Sequence, residues 1–216
     1  MHWREQIAQL EHEGNFDIAI FLLEKVIKEN PDNMDAYITL LFRLMDTIVE
    51  GSCYWHNVSQ DPLWEVKNKY YKAKEQYYAQ LGAHYFIEGY AKYFNNPEYL
   101  CVCGYTLVME PWSFDVDDAM RDSMLRKAHT LEPNNPLYKG EFYQNLYCNN
   151  PSPAQLEEII TWAQLINEPS SPLHQWDGKG VAWEYAQGMI NSFSIRVLNE
   201  PNFGEHSLTM KDYITN

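Results

Sequence analysis

Hydrophobic residues recur at helical spacing through the first fifty residues of the chain. One apolar pattern extends from Trp3 to Leu10, and a second extends from Phe16 to Ile27. Gly14-Asn15 separates the two, and Asn30-Pro31 ends the second because proline cannot continue a helix. A third stripe covers Tyr37 to Val49. The pattern therefore predicts three helices, the first two forming an antiparallel hairpin.

The rest of the chain continues in the same way, and we predict about nine or ten helices in all. Gly51 is expected to end the third helix, and Gly82 to break or kink the fourth. The later segments are expected at Leu63 to Leu81, Ala83 to Phe94, Pro97 to Met109, from about Asp115 onward, Pro136 to Tyr147, Ser152 to Ile166 and Val181 to Val197. The sequence thus predicts an all-α protein with one domain over residues 1–198. Residues 199–216 are expected to be a loop or a loosely docked tail.

Residues of the first hairpin occupy positions typical of one kind of helical repeat: Trp3, Leu10, Gly14, Phe16, Asp17, Ala19, Leu23 and Pro31. They match the tryptophan, aromatic, glycine, alanine and proline positions of a tetratricopeptide repeat, which the hairpin therefore resembles. Leu125 to Asn135 is similar to the end of the second helix of such a repeat. The resemblance implies irregular antiparallel helical hairpins stacked as a short solenoid, a fold that usually binds other proteins.

In this family the inner groove of the stack is usually the binding face. Matching the first two repeats assigns to it Arg4, Ala8, Glu11, His12, Asp35, Ile38, Phe42 and Met45. These residues lack the lysines and asparagines with which chaperone-binding members grip an acidic peptide tail. A co-chaperone role is therefore disfavoured, and Phe42 becomes a candidate partner contact.

Two neighbouring rows of aromatic residues lie along the predicted helix that begins at Leu63. One of them contains Trp64, Tyr71 and Tyr78. Aromatic stripes at this spacing usually pack into a core, with the second row at its margin. The alternative is a recognition groove lined by tyrosine, whose ring buries area while its hydroxyl stays wet. Under that interpretation these three residues bind a partner.

Charge narrows the possible partners. With 16 basic and 30 acidic residues the formal net charge is −14, which repels a phosphate backbone and disfavours nucleic-acid binding. The first residues lack a secretory pattern and no stretch is long enough to span a bilayer, so a cytoplasmic protein without membrane contact is expected.

The four cysteines are expected to be free thiols, with neither metal nor cofactor. A zinc site from Cys53, His56, Cys101 and Cys103 is the weaker alternative.

The densest run of acid lies at Glu110, Asp115, Asp117 and Asp118. One interpretation is a solvated loop in which an aspartate caps the next helix, since carboxylates favour helix N-termini. The other is a surface that steers a basic partner into a complex. We carry these four residues forward as partner-binding candidates.

No phosphate-binding loop, nucleophile elbow or zinc-protease pattern is present, so an enzyme is not expected. The prediction is a stoichiometric protein-binding module. Its acidic, irregularly repetitive composition is similar to that of bacterial immunity proteins, which neutralise a toxin domain that is often basic. The alternatives are a generic tetratricopeptide-type scaffold or adaptor and, from another class, a carbohydrate-active or metal-dependent enzyme.

Overall fold

The structure, a computed structural model, describes residues 2–13, 15–54, 64–109 and 111–200, with side chains described outside residues 50–54 and 64–72. Within these ranges the chain forms nine α-helices and no strand, which confirms the all-α prediction. The helices are α1 (Trp3–His12), α2 (Phe16–Glu29), α3 (Met34–Tyr54), α4 (Trp64–Tyr93), α5 (Pro97–Thr106), α6 (Asp118–Leu131), α7 (Gly140–Cys148), α8 (Pro153–Ile166) and α9 (Val181–Asn199). Short 3₁₀ turns occupy Pro111–Phe114, Pro136–Lys139 and Pro172–Trp176. Of the predicted tail, residues 201–216 lie outside the described ranges.

Side-chain caps fix where several helices begin. The Asn96 side chain accepts a hydrogen bond from the backbone N–H of Tyr99 at 3.0 Å, and Asp117 accepts from Met120 N–H at 2.7 Å. Ser152 forms the expected capping box at the start of α8. These residue types satisfy the unpaired N–H groups of a first helical turn, and so the helix starts at these sites follow from local sequence.

The first three helices pack in the order that the sequence pattern predicts. Ala19 and Leu23 on α2 are completely buried where α2 meets its neighbours. The short connection makes α1 and α2 an antiparallel pair. α4 packs against α3, and Tyr37 near the start of α3 donates a hydrogen bond to Glu88 near the end of α4.

Gly51 does not end its helix, and Gly82 does not break its helix, which was one of the two alternatives predicted for it. α3 continues past Gly51 to Tyr54, and α4 is one continuous helix through Gly82. The second departure has a packing cause, since a Cβ atom at Gly82 would overlap the ring of Phe114. Because Gly82 has no side chain, the turn at Pro111–Phe114 can pack closely against α4, and the helix is not interrupted there.

The C-terminal helix returns to the N-terminal hairpins. α9 contacts α3, α5, α7 and α8, and the Tyr185 ring lies 5.6 Å from the Phe42 ring, centroid to centroid. Ile38, Phe42 and Met45, assigned above to an open inner groove, are all buried, Phe42 with 4% of its surface exposed. In a simple solenoid each repeat contacts only its neighbours. The contact between α3 and α9 covers the α3 part of the predicted inner face, whereas Ala8 and His12 on α1 stay exposed.

Ion pairs and hydrogen bonds connect the helices around the covered part of this face. Arg4 on α1 pairs with Asp35 on α3 and also donates to the backbone oxygen of Lys179 at 2.6 Å. Glu98 Oε1 on α5 accepts hydrogen bonds from Lys179 Nζ at 2.5 Å and from Trp183 Nε1 at 2.7 Å. These bonds join the first helix, the fifth helix and the start of α9.

A buried guanidinium lies under the same face. Arg43 contacts Glu11 at 2.7 Å and Asp46 at 2.6 Å, and it lies over the rings of Phe16 and Phe42. Removing a buried charge from its pair leaves the partner carboxylates uncompensated, which is far more costly than losing an exposed pair.

Gly82→Ala is expected to destabilise the fold by about 1 to 3 kcal/mol, because the new methyl group displaces the Phe114 ring. Gly188 is the matched control, since it lies within α9 with no atom within 4 Å of an added Cβ. Gly188→Ala should stabilise by about 1 kcal/mol through helix propensity. Urea unfolding measures both, and equal effects of the two substitutions would contradict the close approach at Gly82.

Arg43→Ala should lower the free energy of unfolding by about 3 to 5 kcal/mol. The comparison is Lys25→Ala, since the Lys25–Glu29 pair is exposed and its Nζ–Oε1 distance is 3.8 Å. That change should stay within about 0.5 kcal/mol. Chemical denaturation of both variants tests the difference, and a cost for Arg43→Ala as small as that of the control would show that its ion pairs contribute little.

Candidate functional site

An exposed tryptophan stands beside the predicted acidic run. Trp112 is 69% exposed, whereas Phe114, two residues later, is buried. Asp115, Asp117 and Asp118 follow directly and are all exposed. We call Trp112 and these three aspartates the acidic corner. The fourth predicted acid, Glu110, lies outside the described residues.

The backbone of the acidic corner is firmly held. Pro111, Phe114 and Val116 are buried, and Phe114 packs against Gly82 of α4. The N–H of Asp115 donates to Trp112 O at 3.1 Å, and the N–H of Val116 donates to Pro111 O at 3.2 Å. The tryptophan therefore projects from a turn whose other apolar side chains anchor it.

Each aspartate of the corner has a different local role. Asp115 has a φ of 59°, a left-handed conformation that aspartate tolerates better than most residues. Asp117 caps α6, as one sequence interpretation predicted. Asp118, whose side chain is 73% exposed, pairs with Arg121, which also contacts Asp122. One guanidinium thus faces several carboxylates, and the corner keeps a negative balance.

The predicted aromatic contacts do not form an open surface in the described part of the chain. Tyr78 is 4% exposed, and its hydroxyl donates to Asp17, which also pairs with Lys74. The core interpretation of this tyrosine agrees with the structure, and Phe42 is buried as described above. The side chains of Trp64 and Tyr71 lie outside the described set. Partner contact through these four residues stays a prediction.

A cleft of about 670 Å³ lies between α8 and the segment that joins α6 to α7. One wall carries Glu157, Glu158 and Leu165 of α8, with Glu168 just beyond the end of that helix. The opposite wall carries Pro136, Lys139 and, from α7, Tyr143, with Trp162 between the two walls. We call it the α8 cleft. Its acids were not singled out in the sequence, because nothing local shows that one side of α8 faces a groove.

The polar groups of the α8 cleft are oriented by buried aromatic residues. The Tyr143 hydroxyl donates to Glu158 Oε1 at 2.8 Å, and Trp162 Nε1 donates to Pro136 O at 2.9 Å. Burial, together with the bond to Glu158, raises the pKa of Tyr143, so this hydroxyl stays protonated as a donor. Lys139 Nζ lies 5.7 Å from the Tyr143 ring centroid. The walls therefore present three carboxylates against one ammonium.

The described cysteines are free, as predicted: Cys101 and Cys103 are buried in α5, whereas Cys148 is exposed. Burial raises the pKa of both α5 thiols well above the usual value, which disfavours the reactive thiolate. Cys53 and His56, two ligands of the alternative zinc site, have no described side chains. Among the side chains that are described, no group of three or more His, Cys, Asp or Glu is placed to hold a metal ion.

Over the described ranges, no helix is both long enough and apolar enough to cross a bilayer. Comparison of the chain with protein families, with curated proteins and with solved structures found no match.

Thiol labelling should separate the described cysteines by their burial. In the folded protein Cys148 should react rapidly with iodoacetamide, while Cys101 and Cys103 should react only after unfolding. Peptide mass spectrometry after timed labelling assigns each site, and Cys148→Ser is the control for the fast phase. Rapid labelling of Cys101 or Cys103 under native conditions would contradict the packing of α5.

Proposed function

We propose that this protein is a stoichiometric protein-binding module whose acidic corner binds a basic partner. The observation that carries the proposal is Trp112, a large ring 69% exposed on an anchored turn beside three exposed aspartates. Tryptophan is among the side chains that contribute most to protein interfaces, especially where surrounding polar groups exclude water. A rigid turn also lowers the entropy lost on binding.

The charge of the acidic corner indicates what kind of surface a partner would carry. Carboxylates around a central aromatic ring favour a partner surface that carries arginine or lysine around an apolar pocket. The net charge of −14 adds a long-range field that attracts such a surface and speeds encounter. Among proteins with this mode of action, we favour an acidic bacterial immunity protein that neutralises a basic toxin domain in the cytoplasm.

The resemblance to tetratricopeptide repeats supports the same class of function. We infer that the first hairpin is a tetratricopeptide-like unit within an irregular stack, and that α9 occupies the α3 part of the inner face that such units usually offer to partners. Binding would then use the outer acidic corner. A generic scaffold or adaptor of the same architecture would bind its partner without blocking an activity, and this difference separates the two roles.

Association with the partner should slow steeply with rising salt, while dissociation changes less. Asp115→Asn with Asp118→Asn should lower the association rate about tenfold and leave the α6 cap at Asp117 intact. Trp112→Ala should instead raise the dissociation rate about thirtyfold, equivalent to about 2 kcal/mol. Surface plasmon resonance at two ionic strengths measures both rates.

The partner to test first is the product of the neighbouring reading frame, co-expressed with this protein. Rescue of growth by the wild type, and its loss in Trp112→Ala, is the result expected for an immunity protein. Lys28→Ala, which removes an exposed lysine of α2, serves as the surface control. Binding that shows no salt dependence and survives Trp112→Ala would exclude the acidic corner as the interface.

A further inference from the structure

α1 is attached to the rest of the fold by little apolar surface. Every residue of α1 is described, and Ile7 is the one residue among them that is buried, whereas Trp3 and Leu10 are only partly buried. α2, by contrast, buries Ala19, Ile20, Leu23 and Ile27. Packing of an apolar face supplies most of the stability of a short helix in a protein. α1 is therefore held by apolar packing less firmly than α2.

A cavity of about 270 Å³ lies beneath α1, and we call it the α1 cavity. More than half of the residues around it belong to α1, among them Trp3 and Ile7. The opposite wall consists of Thr39 on α3 and residues 178–181, which lead into α9. Protein interiors are close-packed, with few voids larger than a water molecule. α1 therefore covers this space without packing tightly against the opposite wall.

Two polar contacts hold α1 across the α1 cavity, and we call them the latches. Arg4 pairs with Asp35 of α3 and donates to the backbone oxygen of Lys179 at 2.6 Å. Glu11 pairs with Arg43 of α3 at an Oε1–Nη2 distance of 2.7 Å. Arg4 and Glu11 are seven residues apart within α1, which is about 10 Å along the helix and nearly two full turns. Both latches therefore lie on the same side of α1, one near each end.

Release of the latches does not leave a charge unpaired in the interior. Arg43 keeps its contact with Asp46 on its own helix at 2.6 Å. Lys179 Nζ keeps its bond to Glu98 Oε1 at 2.5 Å. The side chain of Asp35 is already 34% exposed, and so water can replace its guanidinium partner. The large cost of breaking a buried ion pair comes from leaving a buried charge without a partner, and that cost does not arise here.

We propose that α1 is a lid that opens as one unit from the α1 cavity when the latches at Arg4 and Glu11 release. The capping box formed by His2 and Glu5 lies within the lid and stays intact when it opens. Opening leaves a groove between α3 and residues 178–181 that is accessible to solvent. Because both partners of the Arg4 latch are partly exposed, salt weakens that latch and favours the open state. The lid lies apart from the acidic corner and does not depend on the proposed function.

Hydrogen exchange of the full chain, followed by NMR, tests the lid. Relative to their intrinsic rates, the amides from Ile7 to His12 should exchange at least a hundredfold faster than the slowest amides of α5 and α9. Their protection should be nearly equal along α1, because one opening step exposes all of them. Protection equal to that of α5 and α9 would show that α1 opens only on global unfolding. Protection that rises steadily from the first turn would show fraying, and either result would overturn the proposal.

Substitutions at the latches should act on α1 directly. Arg4→Met and Glu11→Gln should each raise α1 exchange about tenfold, because each removes a charge-assisted hydrogen bond. Glu29→Gln removes a carboxylate from the exposed pair with Lys25 and should change α1 exchange less than twofold. Salt at about 0.5 M should speed α1 exchange more in the wild type than in Arg4→Met. Equal α1 exchange in the latch variants and the control would contradict the latches.

A substitution in the core separates opening of the lid from global unfolding. Ile159 on α8 is completely buried, and Ile159→Val should speed exchange of the slowest amides of α5 and α9 about fivefold by lowering global stability. Exchange in α1 should stay within twofold of the wild type, because α8 stays folded when the lid opens. If Ile159→Val speeds exchange in α1 as much as in α5 and α9, α1 has no opening of its own and the proposal fails.

Discussion

The Glu98 carboxylate near the start of α5 determines how the two halves of the chain meet. Trp183 is completely buried, and its indole N–H needs an acceptor that apolar packing cannot supply. Glu98 Oε1 provides that acceptor at 2.7 Å and also accepts from Lys179 Nζ. Once α9 is fixed there, Tyr185 lies against Phe42. The part of the predicted inner face that α3 contributes is thereby covered.

Local signals in the sequence were enough to place many helix starts, whereas contacts distant in sequence were not predictable. Asp117 and Ser152 cap the next turn of their own chain, and so their roles depend on residues two or three positions away. Gly82 has two meanings in a sequence, a helix breaker or a site of close approach. Only the position of Phe114, 32 residues further on, decides between them. The return of α9 likewise depends on a partner surface that its amphipathic pattern does not specify.

The two candidate surfaces also differ in how much of each could be predicted from the sequence. The run of aspartates was visible in the sequence, but Trp112 and Phe114 lie two residues apart and are equally apolar by composition. Which of the two rings packs inward depends on the space at Gly82. The α8 cleft was harder still to predict from the sequence, because its acids line a cleft only when the turn at Pro136–Lys139 forms the opposite wall.

Several basic side chains form ion pairs between separate parts of the chain, and most of these cations are partly exposed. Arg4, Arg43, Lys74 and Lys179 each pair with a carboxylate on a different helix. Each of these pairs also uses one carboxylate, and so it leaves the net charge of −14 unchanged. Salt screens exposed charges much more than partly buried pairs. The ion pairs between helices and the exposed carboxylates of the acidic corner therefore respond differently to ionic strength, and the proposed binding at the corner should weaken with salt while the fold persists.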